Sequence, residues 1–469
     1  MKTISAALAF ATLLGAAGAP AKDTAPPEEV RREAREIFQK VISFRTSEGL
    51  GQVPAMAQYL AERFRAAGFP EEDIHIVPVG ETAELVVRYR GKGGSQKPIL
   101  LLAHMDVVTA KPEEWQRDPF TLIEENGYFF GRGTADIKGD IALVTTTFLR
   151  LKREGFKPQR DLVIVLTGDE ETHQDTTREL TTTHRALIDA EFALNADGGG
   201  GRIDEKTGKA TIYRVQGAEK AYASYTFTVR NPGGHSSMPR ADNAIYELAD
   251  AIKRLQAVTF PVMSNEWTLG NFAAEAKVNP PPLGPAMARF AANPQDAEAA
   301  AILSRSPENV GKLRTTCVAT MLQGGHAENA LPQSATATFN CRLFPGMTSA
   351  DVQRELAQAA GPNVEIGLVF DLPASDASPL RDDVLDAVTR AVRATHPQLP
   401  IVPEMAPYTT DGNFFRGAGI PTYGVSAVFL KPSDELSHGL NERVPVDVFY
   451  DGLTHWHVLL TEVGRHVTR

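Results

Sequence analysis

The most constraining feature of this chain is a set of continuous apolar runs that end in acidic or histidine residues. Residues 99–102 and 162–166 are apolar without alternation, which is typical of strands covered on both faces of a sheet. A segment with helical periodicity, residues 140–153, lies between them. Strands that alternate with helices predict an α/β fold with a largely parallel sheet.

The middle of the chain changes pattern and predicts a second, smaller domain. Residues 221–230 alternate, as a sheet with one solvated face does. Predicted helix, strand, strand, helix and strand then follow in that order, at residues 243–255, 315–323, 335–344, 349–360 and 364–370. This β-α-β-β-α-β order predicts an α+β split βαβ (ferredoxin-like) domain. We expect it to span residues 217–375, inserted into a larger domain of residues 28–216 and 376–469.

Two features of the inserted part stay open at this level. Residues 257–313, rich in proline and alanine, cannot be placed. Cys317 and Cys341, the two cysteines of the chain, lie on runs that look like neighbouring antiparallel strands around a turn near Asn329. A cross-strand disulfide and two buried free thiols are both compatible with this pattern.

Length and charge limit the classes of function. The chain has 469 residues, too many for one hydrophobic core, so two domains are expected. Forty-eight basic residues against 58 acidic ones give a net charge of −10. That balance argues against nucleic acid or an anionic membrane as a partner. After the N-terminal stretch, no segment is long and apolar enough to predict a membrane span.

The first residues predict a secretory signal peptide. Lys2 supplies a positive start, residues 4–17 are apolar, and a small-x-small site ends at Ala21. We therefore expect residues 1–21 to be removed and the protein to be exported, to the periplasm or outside the cell. The alternative interpretation is a short N-terminal helix that belongs to the fold.

Carboxylate and histidine residues at predicted strand ends and in loops form the candidate site. They are His104, Asp106, Asp136, Glu170, Glu171, Asp197 and His438. Hard oxygen and imidazole groups of this kind hold zinc ions, and α/β proteins place their chemistry at strand ends on one edge of the sheet. Taken singly, these motifs also suit a surface pair, a helix N-cap or a solvated acidic turn. Their combined order predicts a hydrolase with two metal ions.

On these residues the sequence resembles the M20 metallopeptidase family. The family includes glutamate carboxypeptidase, carnosinase-type dipeptidases, aminoacylase, and the acetylornithine and succinyl-diaminopimelate deacylases. The matching segments are HMDVV, GRGTADIKG, GDEE, NADGG, GGHSSMP and SHGLNE. They extend from His104 to Glu442, and the domain order agrees over nearly all of the chain after the signal peptide.

The resemblance implies a ligand set for two Zn²⁺ per subunit, with Co²⁺ or Mn²⁺ as substitutes. His104 and Asp197 would hold one zinc ion. Glu171 and His438 would hold the other, and Asp136 would bridge the two. The peptide bond after Asp136 would be cis.

The resemblance also implies catalytic roles. Glu170 would be the general base, and Asp106 would orient His104. His235, in the GGHSS segment, would help to stabilise the oxyanion and would reach the site of the partner subunit in a dimer. Without the resemblance, His235 reads as a loop residue.

Three further positions match residues that contact substrate in the family. They are Asn329, Arg342 and Asp411. Arg342 is the best candidate to grip a free carboxylate, because a guanidinium can bind it bidentately. An arginine at a strand end is otherwise a common surface residue.

These assignments predict an exported dizinc metallohydrolase of small peptides or N-acyl amino acids. Metal-activated water, with Glu170 as general base, would cleave an amide bond next to a free C-terminal amino acid, as in a carboxypeptidase or dipeptidase. An N-acyl-amino-acid deacylase of the aminoacylase kind would use the same site and is the alternative. A binding protein that has lost catalysis is a third hypothesis, which the intact ligand set disfavours. The resemblance also implies a homodimer formed through the inserted domain.

Overall fold

The computed structural model describes residues 25–465, so the predicted signal peptide lies outside the described residues. The helices are α1 (Glu28–Ser43), α2 (Val53–Ala66), α3 (Lys138–Arg153), α4 (Asp175–Thr182), α5 (Arg185–Ile188), α6 (Ala244–Gln256), α7 (Glu266–Glu275), α8 (Leu283–Ala292), α9 (Ala297–Leu303), α10 (Pro307–Val310), α11 (Ser349–Ala360), α12 (Asp382–Thr395), α13 (Gly412–Gly417) and α14 (Val446–Arg465). Within the described part, no helix is both long and apolar enough to cross a membrane.

The strands belong to a large sheet, a smaller sheet and two short ribbons. They are β1 (Ile74–Val79), β2 (Thr82–Tyr89), β3 (Ile99–His104), β4 (Ile123–Glu125), β5 (Tyr128–Phe130), β6 (Leu162–Thr167), β7 (Phe192–Asn195), β8 (Gly200–Ile203), β9 (Ala210–Glu219), β10 (Ala221–Arg230), β11 (Gly234–His235), β12 (Thr316–Gly324), β13 (Ala330–Leu331), β14 (Ser334–Leu343), β15 (Glu365–Asp371), β16 (Ile401–Ala406), β17 (Thr422–Gly424), β18 (Phe429–Leu430) and β19 (Arg443–Pro445).

The large sheet has parallel strands at its centre. Its order is β1-β2-β6-β3-β7-β17-β9-β8-β18, with β16 also on β9. Neighbours among β6, β3, β7 and β17 are parallel, whereas β1 and β2 pair antiparallel at one edge. Every residue of β3 and β6 is buried, because helices cover both faces, as their unbroken apolar runs predicted. The predicted α/β class is therefore confirmed.

The C-terminal helix α14 completes the core of the larger domain. It packs against α3 and α12. The ring of Trp456 is fully buried, and its Nε1 donates a hydrogen bond to Asp140 of α3 at 2.8 Å. Helix α3, which lies between β3 and β6 in the sequence, and the last helix of the described residues thus share one core.

The inserted domain is a four-stranded antiparallel sheet with helices α6 and α11 on one face. The sheet order is β12-β14-β10-β15, as the predicted split βαβ arrangement requires. We call the opposite face the lid wall. It carries Tyr222, Ser224, Asn340, Arg342 and Phe370. The predicted α+β character of this domain is confirmed.

Cys317 and Cys341 form a disulfide bond. They are directly opposite each other in the register of β12 and β14. The question that the sequence left open is therefore decided by strand register, which brings the two side chains to the same point of the sheet.

Residues 257–313, which the sequence could not place, contain α7 to α10 and lie on the larger domain. Helix α7 packs on β16. Trp267 of α7 is buried in the main core, and its Nε1 donates to the carbonyl oxygen of Ser378 at 2.7 Å. Phe272 and Phe290 belong to a separate small core that these helices share.

Residues 420–428 are largely apolar, as a buried strand would be, but only Thr422–Gly424 forms a regular strand. The chain then bends, and its backbone bonds switch partner. Val425 N donates to Asn195 O, and Ser426 N donates to Gly198 O. The apolar run continues to follow β7 and its loop, but it does so without a regular ladder.

Candidate metal centre and active site

Three predicted ligand motifs lie at one edge of the large sheet because their strands run parallel in register. His104, the last residue of β3, pairs with Thr167, the last residue of β6. Leu102 of β3 pairs with Asn195 of β7. The acidic residues that follow β6 and β7 therefore emerge beside His104.

Asp136 lies between two imidazoles. Its Oδ1 is 3.1 Å from His104 Nε2, and its Oδ2 is 3.2 Å from His438 Nε2. Glu171 Oε1 is 2.9 Å from the same His438 nitrogen, and Asp197 Oδ2 is 3.9 Å from His104 Nε2. Each oxygen of one carboxylate thus faces a different histidine, as the predicted bridging role requires. The Asp136–Ile137 peptide bond is cis, as predicted.

The donor set fits divalent cations. Ligand atoms of His104, Asp136 and Glu171 lie within 4.8 Å of one another, as do those of His104, Glu170 and Asp197. Among the described residues, no lysine or arginine forms an ion pair with any of these four carboxylates. Buried carboxylates without a fixed counter-charge are costly, and two metal ions would supply that charge.

Burial and neighbouring charges shift the pKa values of several groups in the site. Burial raises the pKa of Glu170 well above its ordinary value, and the charge of Asp197 adds to the increase. Burial also raises the pKa of Asp197. Hydrogen bonds to Asp136 and Glu171 raise the pKa of His438 to about 10. A carboxyl group with a raised pKa, such as Glu170, is suited to accept and return a proton near neutral pH.

Asp106 organises its neighbours in two ways. Its carboxylate accepts hydrogen bonds from the backbone N–H groups of Glu170 and Glu171, at 3.1 and 3.0 Å. Its backbone carbonyl oxygen is 3.0 Å from His104 Nδ1, and its carboxylate oxygen is 3.4 Å from that nitrogen. The residue therefore fixes the His104 ring and the start of the loop that carries the predicted base.

A buried ion pair that the sequence reasoning did not identify holds the Asp136 loop. Glu442 accepts hydrogen bonds from Arg132 Nη1 at 2.7 Å and from the backbone N–H groups of Gly133, Ala135 and Asp136. Arg132 Nη2 also donates to the carbonyl oxygens of His438 and Gly439. We call Arg132 and Glu442 the clamp, because they connect the loops that carry two ligands.

The backbone shows why the second loop needs the clamp. His438 has a φ of 65°, a left-handed conformation that non-glycine residues adopt at a cost. Both clamp residues lie inside segments that matched the family, GRGTADIKG and SHGLNE. That position was the signal that could have identified them.

A cavity of 1080 Å³ separates the metal centre from the lid wall. Asp136, Glu170, Glu171, Asp197 and His438 line it from the larger domain, and the predicted carboxylate-binding residue Arg342 lines it from the lid. Burial lowers the pKa of the Arg342 guanidinium. In the described part of the chain, no carboxylate forms an ion pair with this group.

The other predicted site residues lie elsewhere. Asp411 is 4% exposed and does not line the cavity, contrary to the predicted substrate contact; its neighbour Thr410 does line it. The Asp411 carboxylate instead accepts hydrogen bonds from the hydroxyl groups of Thr167 and Thr177. Both oxygens therefore serve to join β6 to α4.

His235 in β11 and Asn329, which directly precedes β13, lie close together and outside the cavity lining. His235 is exposed, and its Nδ1 is 2.8 Å from Ser237 Oγ. Asn329 O accepts a hydrogen bond from Ser236 N. Within this one chain neither side chain meets the metal centre, so their predicted roles stay predictions.

Known proteins match most of this chain. A family model described as peptidase family M20/M25/M40 matches residues 100–462. The N-fatty-acyl-amino acid synthase/hydrolase PM20D1 of Homo sapiens is 28% identical over 385 residues, which is 77% of this chain and 73% of the human protein. Aminoacylase-1 of Mus musculus is 28% identical over 414 residues, which is 87% of this chain and 89% of the mouse protein.

A solved structure shares the fold. The M20 family metallo-carboxypeptidase Sso-CP2 from Sulfolobus solfataricus superposes with a TM-score of 0.70 at 18% sequence identity. The superposition covers 92% of this chain and 99% of that protein. At this identity the likeness establishes the architecture, a catalytic domain with an inserted second domain.

Proposed function

Because the chain belongs to peptidase family M20/M25/M40 and is a hydrolytic enzyme of that family, we propose that it cleaves the amide bond next to a free C-terminal amino acid. It would act as a carboxypeptidase or dipeptidase. The observation that carries this proposal is Asp136, whose two carboxylate oxygens face two histidines beside the half-buried Glu170.

Two zinc ions would be held by the residues that the sequence predicted. His104 and Asp197 lie on one side of Asp136, and Glu171 and His438 on the other. When bound, two zinc ions supply Lewis acidity for the amide carbonyl and lower the pKa of water in the site. Co²⁺ and Mn²⁺ accept the same oxygen and imidazole ligands.

The residues of the chain perform the proton transfers. Glu170 takes a proton from the attacking water and then gives it to the leaving amine, which is why its raised pKa is useful. Asp106 keeps Glu170 in place through the backbone N–H of that residue. Arg342, which has no acidic partner in the described chain, binds the substrate carboxylate bidentately across the cavity.

A specific observation favours a second candidate, the hydrolysis of N-acyl amino acids. Two of the relatives that match this chain are named N-fatty-acyl-amino acid synthase/hydrolase and aminoacylase-1, whereas a third, which covers 94% of the chain, is named probable carboxypeptidase S-like 2. Ile137, Val428 and Leu430 give the cavity an apolar boundary on the side of the larger domain, which suits an acyl chain better than a charged peptide N-terminus.

A homodimer formed through the lid is part of the proposal. Strand β12 is an edge of the lid sheet, and Val318 and Leu322 on it are 58% and 68% exposed. An exposed apolar edge strand is a template for pairing with another chain, and a second copy supplies the same edge. Pairing there would allow His235 to act in the site of the partner.

The dimer is tested by exchanging subunits. Glu170→Gln and His235→Ala proteins, each with little activity, should regain activity when they are mixed, because one mixed site would hold both intact residues. Exchange is verified by mass measurement of differently tagged subunits. Exchange without recovered activity would contradict a role for His235 across subunits.

Export to the periplasm or the outside is also proposed. The Cys317–Cys341 disulfide supports it, because such bonds persist in oxidising compartments. N-terminal sequencing of protein recovered outside the cytoplasm should begin at Lys22. Protein that keeps residues 1–21 and stays in the cytoplasm would contradict this proposal.

The reaction is tested by chromatographic detection of amino acids released by zinc-loaded protein. The substrates are free dipeptides, longer peptides and N-acetyl or N-fatty-acyl amino acids, and Glu170→Gln is the control. Release from peptides that is absent in the variant supports the peptidase. Release from acylated substrates alone selects the second candidate, and no release from either class would contradict both.

A further inference from the structure

Where it lines the cavity, the lid wall carries a single charge among the described residues. Among the described residues, those that line the cavity from the inserted domain are Tyr222, Ser224, Thr320, Met321, Thr338, Asn340, Arg342, Val369, Phe370 and Leu372. Arg342 is the one charged member of this set. On the lid side, a substrate whose carboxylate reaches Arg342 therefore meets only neutral groups with the rest of its C-terminal residue.

Two aromatic rings continue from the guanidinium along the lid wall. Arg342 Cζ lies 4.7 Å from the centroid of the Tyr222 ring, on the neighbouring strand. The Tyr222 and Phe370 rings meet edge to face, with centroids 5.1 Å apart. A carboxylate that pairs with the edge of the Arg342 guanidinium lies beside these rings, and an apolar substituent on its Cα gains most from contact with them.

The polar groups of this surface are bonded to one another. Ser224 Oγ donates to the Tyr222 hydroxyl oxygen at 3.4 Å, and Asn340 Nδ2 donates to Ser224 Oγ at 3.3 Å. Burying a charged side chain against groups that cannot neutralise it is unfavourable. The surface thus offers neither an acid for a lysine side chain nor, beyond Arg342, a base for a glutamate side chain.

We propose that the lid wall selects substrates whose C-terminal residue has a neutral, apolar or aromatic side chain, and that Phe370 sets this preference. The inference rests on the proposed function, since it names the substrate class of the same site. Arg342 recognises the carboxylate that all C-terminal residues share. Phe370 and its neighbour Val369 distinguish one C-terminal side chain of the substrate from another.

The test compares matched acyl amino acids and dipeptides that end in leucine, phenylalanine, lysine or glutamate. The kcat/KM of the wild-type protein should be at least about 10-fold higher for leucine and phenylalanine than for lysine and glutamate. Phe370→Glu should lower the leucine value and raise the lysine value by about 10-fold each, because it adds a partner for the ammonium group.

Residues on the same strand provide a second variant and a control. Val369→Glu should shift the preference in the same direction, and this residue is 62% exposed, so the charge is compatible with folding. Leu368 is 45% exposed, pairs with Tyr225 of the helix-covered face and does not line the cavity. Leu368→Glu should leave the ratio unchanged.

Binding separates this proposal from the reaction itself. Affinities of the same compounds for the Glu170→Gln variant are measured by isothermal titration calorimetry. Tighter binding of the leucine and phenylalanine compounds supports the selection even if no hydrolysis is seen, and that result would count only against the proposed reaction. Equal affinities, no binding at all, or an equal shift in Leu368→Glu would overturn the proposal.

Discussion

The two walls of the cleft are electrostatically incomplete in opposite ways. On the catalytic side, the carboxylates of Asp136, Glu170, Glu171 and Asp197 share two histidines and no other cation within the described chain. On the lid wall, one guanidinium rests on an aromatic ring and has no acid. One side therefore needs positive charge from outside and the other needs negative charge, which are the charges of metal ions and of a substrate carboxylate.

The largest expected effect comes from removing the general base on the catalytic side of the cleft. Glu170→Gln should lower kcat by roughly 10³- to 10⁴-fold, because no other group in that position can shuttle the proton. Zinc content, measured by mass spectrometry of the metal, should stay at the wild-type value. Activity near that of the wild-type protein would mean that another residue is the base.

The lone charge of the lid wall is tested next. Arg342→Met should reduce kcat/KM for substrates with a free carboxylate by roughly 10²-fold, mainly through KM. Substrates whose C-terminus is an amide should be affected little, because they lack the charge that Arg342 recognises. On substrates with a free carboxylate, the kcat/KM of Arg342→Lys should lie between those of the wild-type protein and Arg342→Met, since an ammonium cannot form the bidentate pair. Equal losses with both substrate types would contradict carboxylate binding.

A substitution in the clamp tests how strongly metal binding on the catalytic side of the cleft depends on the support of its loops. Glutamine at position 442 has one acceptor oxygen, whereas Glu442 uses two oxygens to bind Arg132 and three backbone N–H groups. Glu442→Gln should therefore weaken zinc binding by about 10- to 100-fold. The measurement is competition with a chromophoric chelator, which does not depend on activity.

A matched control for the clamp is Glu298→Gln. Glu298 is an exposed residue of α9 that pairs with Arg289 at the surface. This substitution should leave zinc affinity unchanged. A Glu442→Gln protein that binds zinc as tightly as the wild-type protein would show that the metal ligands hold their positions without the clamp.

The smallest expected effect concerns the ring beneath Arg342. Tyr222→Leu should raise KM for carboxylate substrates by roughly 2- to 5-fold, the scale of a partly exposed cation–π contact. Tyr222→Phe keeps the ring face and should stay close to the wild-type value. A steady-state comparison of the two variants on one substrate makes the measurement, and equal KM values for both would contradict a positioning role of the ring.

Much of the catalytic side of the cleft was predictable from the sequence, because several of its ligands lie next to the apolar strands that position them. His104, Glu171 and Asp197 each come at or just after the end of an apolar strand, and neighbouring parallel strands bring such ends together at one edge of the sheet. The residues at the ends of β3, β6 and β7 needed only this rule to be placed. The family resemblance then supplied Asp136 and His438, whose neighbours in sequence do not reveal what they face.

The rest depended on contacts between distant parts of the chain. Arg132 and Glu442 are 310 residues apart, so no local pattern connects them. The alternation of residues 221–230 placed Tyr222 on the solvated face but could not show that Arg342 lies opposite it. The motif around Asp411 gave the place of this residue in the sequence but not the direction of its side chain. That side chain points to Thr167 and Thr177 and not into the cavity.

Residues 257–313 show the same limit on a larger scale. Their helices are short, and the sequence does not state which sheet they cover. One of the contacts that hold them on the larger domain is made by Trp267, whose indole Nε1 donates to the carbonyl oxygen of Ser378. A contact of this kind between residues that are distant in the sequence is recognised only when the fold is known.

The clamp has a consequence for the time at which the metal centre can form. His438 and Glu442 come late in the described sequence, and Trp456 of α14, which bonds to Asp140 in the core of the larger domain, comes later still. While the chain is being synthesised, His104, Asp136 and Asp197 are present without the clamp or the second histidine. The complete set of predicted ligands and the clamp can therefore come together only after every residue from His104 to Glu442 has been synthesised.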